Sequence, residues 1–264
     1  MVERPKAERI DLAHARILVC NDDGVEAPGI KLLTRVAKSL SKDVWVVAPE
    51  QEQSGASHSL TLHRPLRIRK LGLRRYAVDG TPTDCVLLAV NAVLEDKRPD
   101  LVLSGINAGA NMGEDVTYSG TIAAAMEASL LGLKAIALSQ NAGEDGPLQW
   151  ATASALAAKV IRRLAALPWP RESFFNVNFP NVPPAQVKGI VAAAQGGRKI
   201  GDHLVQRLDP RGRPYYWIGP QRDEAHTRPG SDVRAVAEGN VSVTPIFLDL
   251  TNRKALVHLK KALA

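Results

Sequence analysis

The sequence predicts an α/β fold with a Rossmann-like, three-layer core, a mostly parallel sheet and a β-rich C-terminal appendage. Over roughly the first 140 residues, short β-branched runs alternate with segments whose apolar residues recur at helical spacing. Such alternation is typical of a parallel sheet covered by helices, because parallel strands need crossover connections. From about residue 187 the pattern changes to short strand-like pieces separated by polar stretches with Gly and Pro. We therefore expect a single domain over 1–264, with the core at about 15–186 and the appendage at about 187–264.

The first half of the core contains four predicted strands and two predicted helices. The segments ARILVC, DVWVVAPE, LTLHRPLRI and RRYAVDG predict strands at 15–20, 43–50, 60–68 and 74–80. The third of these is interrupted by Pro65, which cannot donate a backbone hydrogen bond. Helices are predicted for APGIKLLTRVAKSL, at 27–40, and for TPTDCVLLAVNAVLEDK, at 81–97. Pro28 suits the first turn of a helix, because the N–H that it lacks would have no partner there.

The second half of the core continues the alternation. Strands are predicted for RPDLVLSGINAG, KAIALSQ and FFNVNFP, at 98–109, 134–140 and 174–180. Helices are predicted for TYSGTIAAAMEASLLG, at 117–132, and PLQWATASALAAKVIRRLAAL, at 147–167. Beyond the core, strand-like pieces follow at 189–195, 214–219 and 241–250, and a long helix returns in the last dozen residues. This appendage is expected to be antiparallel and to serve oligomer contacts.

The composition is ordinary for a globular protein, with 45% hydrophobic and 23% charged residues. Apolar runs stay far below the ~20 residues that a membrane helix needs, which argues against a membrane-spanning protein. The polar N-terminal stretch lacks the apolar core of a secretory signal, so we expect a cytoplasmic protein. Cys20 and Cys85 each fall within an apolar element and are predicted to be small buried side chains rather than a disulfide.

The formal net charge of +7 at pH 7 is compatible with nucleic acid, a membrane surface or a small anionic substrate as partner. Basic residues cluster at 64–75, in RPLRIRKLGLRR, and at 207–214, in RLDPRGRP. Neither cluster carries a nucleic-acid module or an aromatic stacking motif. A solvated basic face is therefore the favoured interpretation, nucleic-acid binding is the weaker one, and no membrane partner is expected.

An unusual pair of acidic residues follows the first predicted strand. In NDDG, at 21–24, Asp22 and Asp23 are neighbours where a buried strand ends, which is where a doubly wound sheet collects its ligands. Two carboxylates so close repel each other unless one takes up a proton or a cation lies beside them. Gly24 lets the chain turn so that both can face one site, and their oxygens suit a hard cation such as Mg²⁺ or Mn²⁺. The alternative is that Asp22 caps the following helix and Asp23 is solvated.

Neutral oxygen ligands follow two other predicted strands. Ser54 lies in QEQSG after the second strand, and Asn107 lies in SGIN at the end of a later one. A hydroxyl and an amide oxygen there would complete a coordination shell begun by the two aspartates. The alternatives are a loop serine that bonds its own backbone and a turn-forming asparagine. His58 and His63 are possible proton donors to a leaving group, but histidines that are solvated or satisfied by another partner are the favoured interpretation.

An anion site is predicted at YSGT, 118–121, which begins an alanine-rich helix. Free backbone N–H groups and the hydroxyls of Ser119 and Thr121 suit a phosphate at a helix N-terminus. A bound metal facing such groups is the arrangement that phosphoryl transfer needs. The alternative is that Ser119 or Thr121 merely caps the helix, which needs no ligand.

Five segments in order resemble the SurE family of survival-protein nucleotidases: ILVCNDDGVEAPGI, VVAPEQEQSGASHSLTL, VDGTPTDCVLLAV, PDLVLSGINAGANMGEDVTYSGTIAAAMEA and VSVTPIFLDLT. They span residue 17 to about residue 251, and their combination is highly specific. The resemblance implies a cytoplasmic, metal-dependent phosphatase of nucleoside 5′- and 3′-monophosphates, with short-chain polyphosphate as a further substrate. It also implies a homodimer or homotetramer in which the C-terminal segment is exchanged between subunits.

The resemblance also implies the residues of the site. One divalent metal ion per subunit, Mg²⁺ or Mn²⁺, is expected on Asp22, Asp23, Ser54 and Asn107. The phosphate is expected on the SGIN loop and the YSGT helix start, with contacts from Ser104, Gly105, Asn107, Ser119, Gly120 and Thr121. Asp22 and Asp23 are also expected to be catalytic, by positioning or activating a metal-held water, with direct attack by a carboxylate left open. The best-known aspartyl phosphatases have a DxD motif, in which a second aspartate follows two residues after the first. This motif is absent here, because Gly24 stands two residues after Asp22.

A rival function from another class is a non-catalytic regulatory module that binds phosphate or a nucleotide with Mg²⁺. Receiver-like domains also place paired acidic residues and Mg²⁺ at the ends of parallel strands. The SGIN and YSGT segments favour the enzyme, because a receiver needs neither. The family often has threonine where this chain has Cys20, a buried small residue that should leave the site intact.

Overall fold

The structure is a computed structural model that describes residues 9–143, 147–169, 172–197, 199–200, 204–218, 222–223 and 228–264. Its strands are β1 (Arg16–Cys20), β2 (Asp43–Pro49), β3 (Ile68–Gly72), β4 (Arg75–Val78), β5 (Leu101–Ala108), β6 (Ala135–Gln140), β7 (Ser173–Phe179), β8 (Gly189–Ala192), β9 (Lys199–Ile200), β10 (Leu204–Leu208), β11 (Pro214–Ile218), β12 (Arg222–Asp223) and β13 (Asn240–Phe247). Its α-helices are α1 (Pro28–Lys38), α2 (Pro82–Leu88), α3 (Gly120–Leu130), α4 (Trp150–Ala165), α5 (Asp232–Ala237) and α6 (Arg253–Ala262). A π-helical segment, Ala89–Val93, follows α2, and short 3₁₀ helices cover Gly113–Thr117 and Pro184–Gln186.

A nine-stranded sheet with the order β3-β4-β2-β1-β5-β6-β7-β13-β8 forms the centre of the fold. The six strands from β4 to β7 in that order run parallel, whereas β3 pairs antiparallel with β4 and β13 pairs antiparallel with β7. Helices α1 and α4 pack on one face of the sheet, and α2 and α3 pack on the other. The predicted three-layer α/β class is confirmed.

The burial of β1 follows from this layering. Side chains of a strand alternate between the two faces of a sheet, and here both faces are covered. Ile17 and Val19 therefore pack with α1 and α4, whereas Leu18 and Cys20 pack with α2 and α3. The sequence of such a strand is a continuous apolar run rather than an alternation of apolar and polar residues. Cys20 and Cys85 are both free and buried, as expected.

The strand order also locates the point where a ligand would bind. β1 is the neighbour of both β2 and β5. The chain leaves β1 through α1 on one face and enters β5 through α2 on the other. The order of the strands thus reverses at β1, and in open α/β sheets ligands bind beyond the carboxyl ends of the strands at such a switch point.

Several elements differ from the predicted pattern. The strand predicted at 60–68 is wrong for its first eight residues, since extended pairing begins at Ile68, beyond the interruption by Pro65. The helix predicted at 81–97 is α-helical to Leu88, continues as the π-helical segment and ends at Val93. After residue 187, β8 and β13 extend the core sheet, because β13 pairs with both β7 and β8. The short helix α5 has no counterpart in the predicted pattern.

A second, small antiparallel sheet is formed by β10 and β11. Its large apolar side chains face solvent, and Trp217 is 65% exposed. Helix α6 has an amphipathic pattern, yet no residue of it is buried. Within the described ranges, no helix is both long and apolar enough to cross a membrane. The β10–β11 hairpin and α6 are therefore apolar surfaces that the described part of the chain leaves uncovered.

Candidate metal and phosphate site

The carboxyl end of β1 opens into a cavity of about 610 Å³. The four predicted metal ligands line it together: Asp22, Asp23, Ser54 and Asn107. They come from the turn after β1, the loop after β2 and the end of β5. Because β2 and β5 flank β1 and run parallel to it, their carboxyl ends meet at the same edge of the sheet. The cavity therefore lies at the switch point of the fold.

A tight turn presents the two aspartates. The side chain of Asn21 is buried, and its Nδ2 donates to the carbonyl oxygen of Gly24 at 2.9 Å. Gly24 has a φ of +95°, which a side chain would disfavour. The turn takes the chain out of the strand geometry that would otherwise send neighbouring side chains to opposite faces. Asp22 and Asp23 can therefore line the same cavity.

The start of helix α3 holds Asp22. Thr121 Oγ1 donates a hydrogen bond to Asp22 Oδ1, and the backbone N–H groups of Gly120 and Thr121 also donate to this carboxylate. Asp22 is 4% exposed, and burial raises its pKa, an effect that these donors oppose. The fit requires glycine at 120, since a Cβ there would lie 2.7 Å from the Cβ of Asp22. The helix N-terminus thus stabilises a carboxylate of the protein itself.

Asp23 is less constrained than Asp22. Its Oδ2 accepts a hydrogen bond from the backbone N–H of Ala108 at 3.2 Å. Burial, together with the charges of Asp22 and Glu52, raises the pKa of Asp23 to about 6, against the opposing effect of the hydrogen bond from Ala108. The pair thus carries an electrostatic cost that a cation between the carboxylates would remove.

The neutral ligands offer oxygen atoms to the same cavity. Asn107 Nδ2 donates to the carbonyl oxygen of Gly109 at 2.9 Å, which leaves the side-chain oxygen as the acceptor. Ser54 Oγ donates to Glu52 Oε1 at 2.8 Å, so the lone pairs of the hydroxyl stay available. The donor set is two carboxylates, one hydroxyl and one amide oxygen, which fits a hard divalent cation. Among the described residues, no cluster of three or more His, Cys, Asp or Glu side chains suits a metal, so any cation here needs the neutral ligands.

The predicted phosphate residues divide into two groups. Asn107 and Ser119 line the cavity, although Ser119 Oγ also caps α3 by accepting from the N–H of Ile122 at 3.1 Å. The others lie behind the cavity wall: Ser104, Gly105, Gly120 and Thr121. Ser104 and Gly105 are part of β5, and a Cβ at Gly105 would meet the carbonyl oxygen of Leu138 at 2.2 Å. These residues shape the strand end and the helix start that frame the cavity.

The cavity lining also contains five polar or aromatic side chains that sequence reasoning did not select: Glu52, Asn111, Asp115, Tyr118 and Trp150. The first four stand within or between the quoted motifs and could have been considered on that ground. Trp150 begins α4 and reaches the cavity through tertiary packing, which no local pattern marks. The lining thus contains four carboxyl groups and, among the described residues, no Lys or Arg. Neither His58 nor His63 belongs to it.

Comparison with known proteins agrees with the motifs. The family model described as "Survival protein SurE" matches residues 17–202. A protein of Paramagnetospirillum magneticum named 5′-nucleotidase SurE is 60% identical over 252 residues, which are 96% of this chain and 97% of that protein. A protein of Rhodospirillum rubrum with the same name is 55% identical over 247 residues, covering 92% of this chain and 94% of that protein.

A solved structure shows the same fold. The crystal structure of the SurE protein from Aquifex aeolicus superposes with a TM-score of 0.82 at 42% sequence identity. The match covers 94% of this chain and 99% of the Aquifex chain. With the family model spanning well over half of the sequence and close relatives covering nearly all of it, the chain belongs to the SurE family.

Proposed function

We propose that the protein is a metal-dependent 5′-nucleotidase that hydrolyses nucleoside 5′- and 3′-monophosphates to nucleoside and phosphate, with short-chain polyphosphate as a further substrate. The observation that carries the proposal is the adjacent aspartate pair in a cavity lined by four carboxyl groups and, among the described residues, no basic side chain. A phosphate dianion would be repelled from such a cavity unless a cation were bound there. The name 5′-nucleotidase, shared by relatives up to 60% identical to this chain, supports the reaction class.

One Mg²⁺ or Mn²⁺ ion per subunit is proposed on Asp22, Asp23, Ser54 and Asn107. Such an ion, when bound, neutralises phosphate charge and lowers the pKa of a coordinated water. The protein holds Asp22 rigidly through Thr121 and the start of α3. Asp23, with one backbone donor, is left freer to orient a water molecule towards the phosphorus. Asn107 and Ser119 are the predicted phosphate residues with direct access to the substrate.

A homodimer or homotetramer that exchanges its C-terminal segment is proposed as the working assembly. The exposed apolar side chains of the β10–β11 hairpin and the unburied helix α6 support this proposal. Such surfaces are typical of protein contacts rather than of a solvated exterior. We also propose that the protein acts in the cytoplasm.

A phosphate-release panel tests the proposed reaction. The purified protein is supplied with AMP, GMP, a 3′-monophosphate, a non-nucleotide phosphomonoester and short polyphosphate, each with Mg²⁺ or Mn²⁺. We expect turnover of the nucleoside monophosphates that stops on addition of a chelator. Asp23→Asn should lose this activity, whereas the matched control Asp11→Asn, at an exposed site, should keep it. Nucleotide binding without turnover would instead support the regulatory module.

A further inference from the structure

The loop that carries Ser54 is attached to helix α3 by a histidine–glutamate pair. His58 Nε2 lies 2.9 Å from Oε2 of Glu127, which is a residue of α3. The Glu127 side chain is 11% exposed and that of His58 is 28% exposed. A carboxylate this well buried needs a partner, because its desolvation is otherwise uncompensated. The contact is therefore a partly buried pair rather than a solvated surface one.

Two hydrogen bonds of Ser57 join the same loop to the short segment that directly precedes α3. The backbone N–H of Ser57 donates to the carbonyl oxygen of Tyr118 at 3.2 Å, and Ser57 Oγ donates to that of Thr117 at 2.8 Å. Ser57 has a φ of +53°, a left-handed conformation that a residue with a side chain adopts only when its surroundings hold it there. The His58 pair and these two bonds supply that hold.

The loop is attached at its other end to the aspartate pair. The backbone N–H of Gln53 donates to the carbonyl oxygen of Asp22 at 2.8 Å. Ser54 stands between these two attachments and is exposed, and the next residue, Gly55, has nothing within 4 Å of an added Cβ. Apart from its hydrogen bond to the exposed side chain of Glu52, the immediate surroundings of Ser54 therefore do little to fix its position. Its place at the cavity depends on how the two ends of the loop are held.

We propose that His58 and Glu127 are positioning residues that hold the loop so that Ser54 Oγ reaches the cation on the aspartate pair. The inference rests on the proposed metal site, which gives Ser54 its role. A neutral hydroxyl is a weak ligand compared with a carboxylate, so its contribution depends on being held in place. Because α3 also holds Asp22 through Thr121, the pair ties Ser54 to the same rigid element as the first aspartate.

A double-mutant cycle tests the proposal through the dissociation constant for Mn²⁺, measured by calorimetry on the full chain. We expect Ser54→Ala and His58→Ala each to raise this constant about tenfold or more, the size of loss that is typical when an outer-shell partner of a metal ligand is removed. Because His58 acts through Ser54, His58→Ala should add nothing in a Ser54→Ala background. Glu127→Gln keeps an acceptor for the histidine and should stay near the wild-type value. His14→Asn removes an exposed His–Asp contact of 2.8 Å far from the loop and is the matched control.

A second variant separates positioning from stability. His58→Leu combined with Glu127→Met replaces the pair by apolar side chains, which avoids a buried unpaired carboxylate. This protein should melt near the wild-type temperature and still bind Mn²⁺ more weakly, by about tenfold or more. If Ser54→Ala and His58→Ala raised the dissociation constant for Mn²⁺ independently, so that their fold-changes multiplied in the double variant, the proposal would be overturned. Wild-type affinity for Mn²⁺ in either His58 variant would also overturn it. If the wild-type protein itself bound no Mn²⁺, or if Asp23→Asn bound it as tightly, the proposed function would fail instead.

Discussion

Removing the charge of Asp23 should stabilise the metal-free protein while it abolishes metal binding. The pKa of Asp23 is about 6 against an ordinary 3.8, chiefly because the carboxyl is buried and faces Asp22. A carboxyl with a raised native pKa holds its proton more tightly when folded, so its ionised form opposes folding. Asn in place of Asp23 keeps an oxygen for the N–H of Ala108 and lacks the charge. The variant should therefore be more stable than the wild type above about pH 4, with the full gain above about pH 7.

The size of the effect follows from the pKa difference. About two pKa units correspond to an upper limit of about 3 kcal/mol, at about 1.4 kcal/mol per unit. Asp23 is only half-buried, and solvent screening reduces this to about 1–2 kcal/mol. For a chain of this length, that predicts a melting temperature about 2–6 °C higher for Asp23→Asn. The gain should be full above about pH 7, shrink as the pH falls through 6 and vanish below 3.8, the ordinary carboxyl value.

Thermal unfolding in the presence of a chelator measures this directly. The wild type and Asp23→Asn are compared at pH 7.5 and pH 5, with Asp11→Asn, at an exposed carboxylate, as the matched control. We expect the stabilisation at pH 7.5 to be roughly halved at pH 5. Equal melting temperatures for the wild type and Asp23→Asn at pH 7.5 would refute the reasoning that the pair carries an electrostatic cost in the folded apoprotein.

Three further predictions concern the same carboxylates. Mn²⁺ or Mg²⁺ should raise the melting temperature of the wild type, and the shift should shrink towards pH 5 because Asp23, with its pKa of about 6, becomes protonated; an unchanged shift would contradict this. Thr121→Val removes the side-chain donor to Asp22 and should lower kcat about tenfold or more. The matched control is Thr117→Val, which removes an exposed hydroxyl that donates to the backbone carbonyl oxygen of Glu114 and should leave kcat unchanged. Gly120→Ala places a Cβ 2.7 Å from the Cβ of Asp22 and should destabilise the protein by about 1–3 kcal/mol in chemical denaturation; wild-type stability would show that the helix start can move.

The residues of the site could be predicted to the extent that they stand in local motifs at strand ends. The apolar run of β1 predicts a buried strand, and the carboxyl ends of parallel strands converge, so Asp22, Ser54 and Asn107 could be placed at one edge without coordinates. In the structure, the three residues line one cavity. The repulsion between adjacent carboxylates is the reason to expect a bound cation, and this expectation stays a prediction.

What the sequence could not supply depends on tertiary contacts. The YSGT segment suggests an anion at the start of α3, and the structure shows that Asp22 occupies this position. Local pattern cannot tell a bound phosphate from a carboxylate of the chain, because both satisfy the same N–H groups. Likewise, no turn signal near β13 indicates that this strand returns to pair between β7 and β8. The His58–Glu127 contact joins residues 69 positions apart and has no local signature.

The location of a bound cation tests the central claim most directly. Crystals of the protein grown or soaked with Mn²⁺ would reveal the ion by its anomalous scattering. We predict one peak per subunit in the cavity at the carboxyl end of β1, within bonding distance of oxygen atoms of Asp22 and Asp23 and completed by Ser54 and Asn107. An ion bound elsewhere, or no ion at a Mn²⁺ concentration that supports phosphate release, would contradict the account.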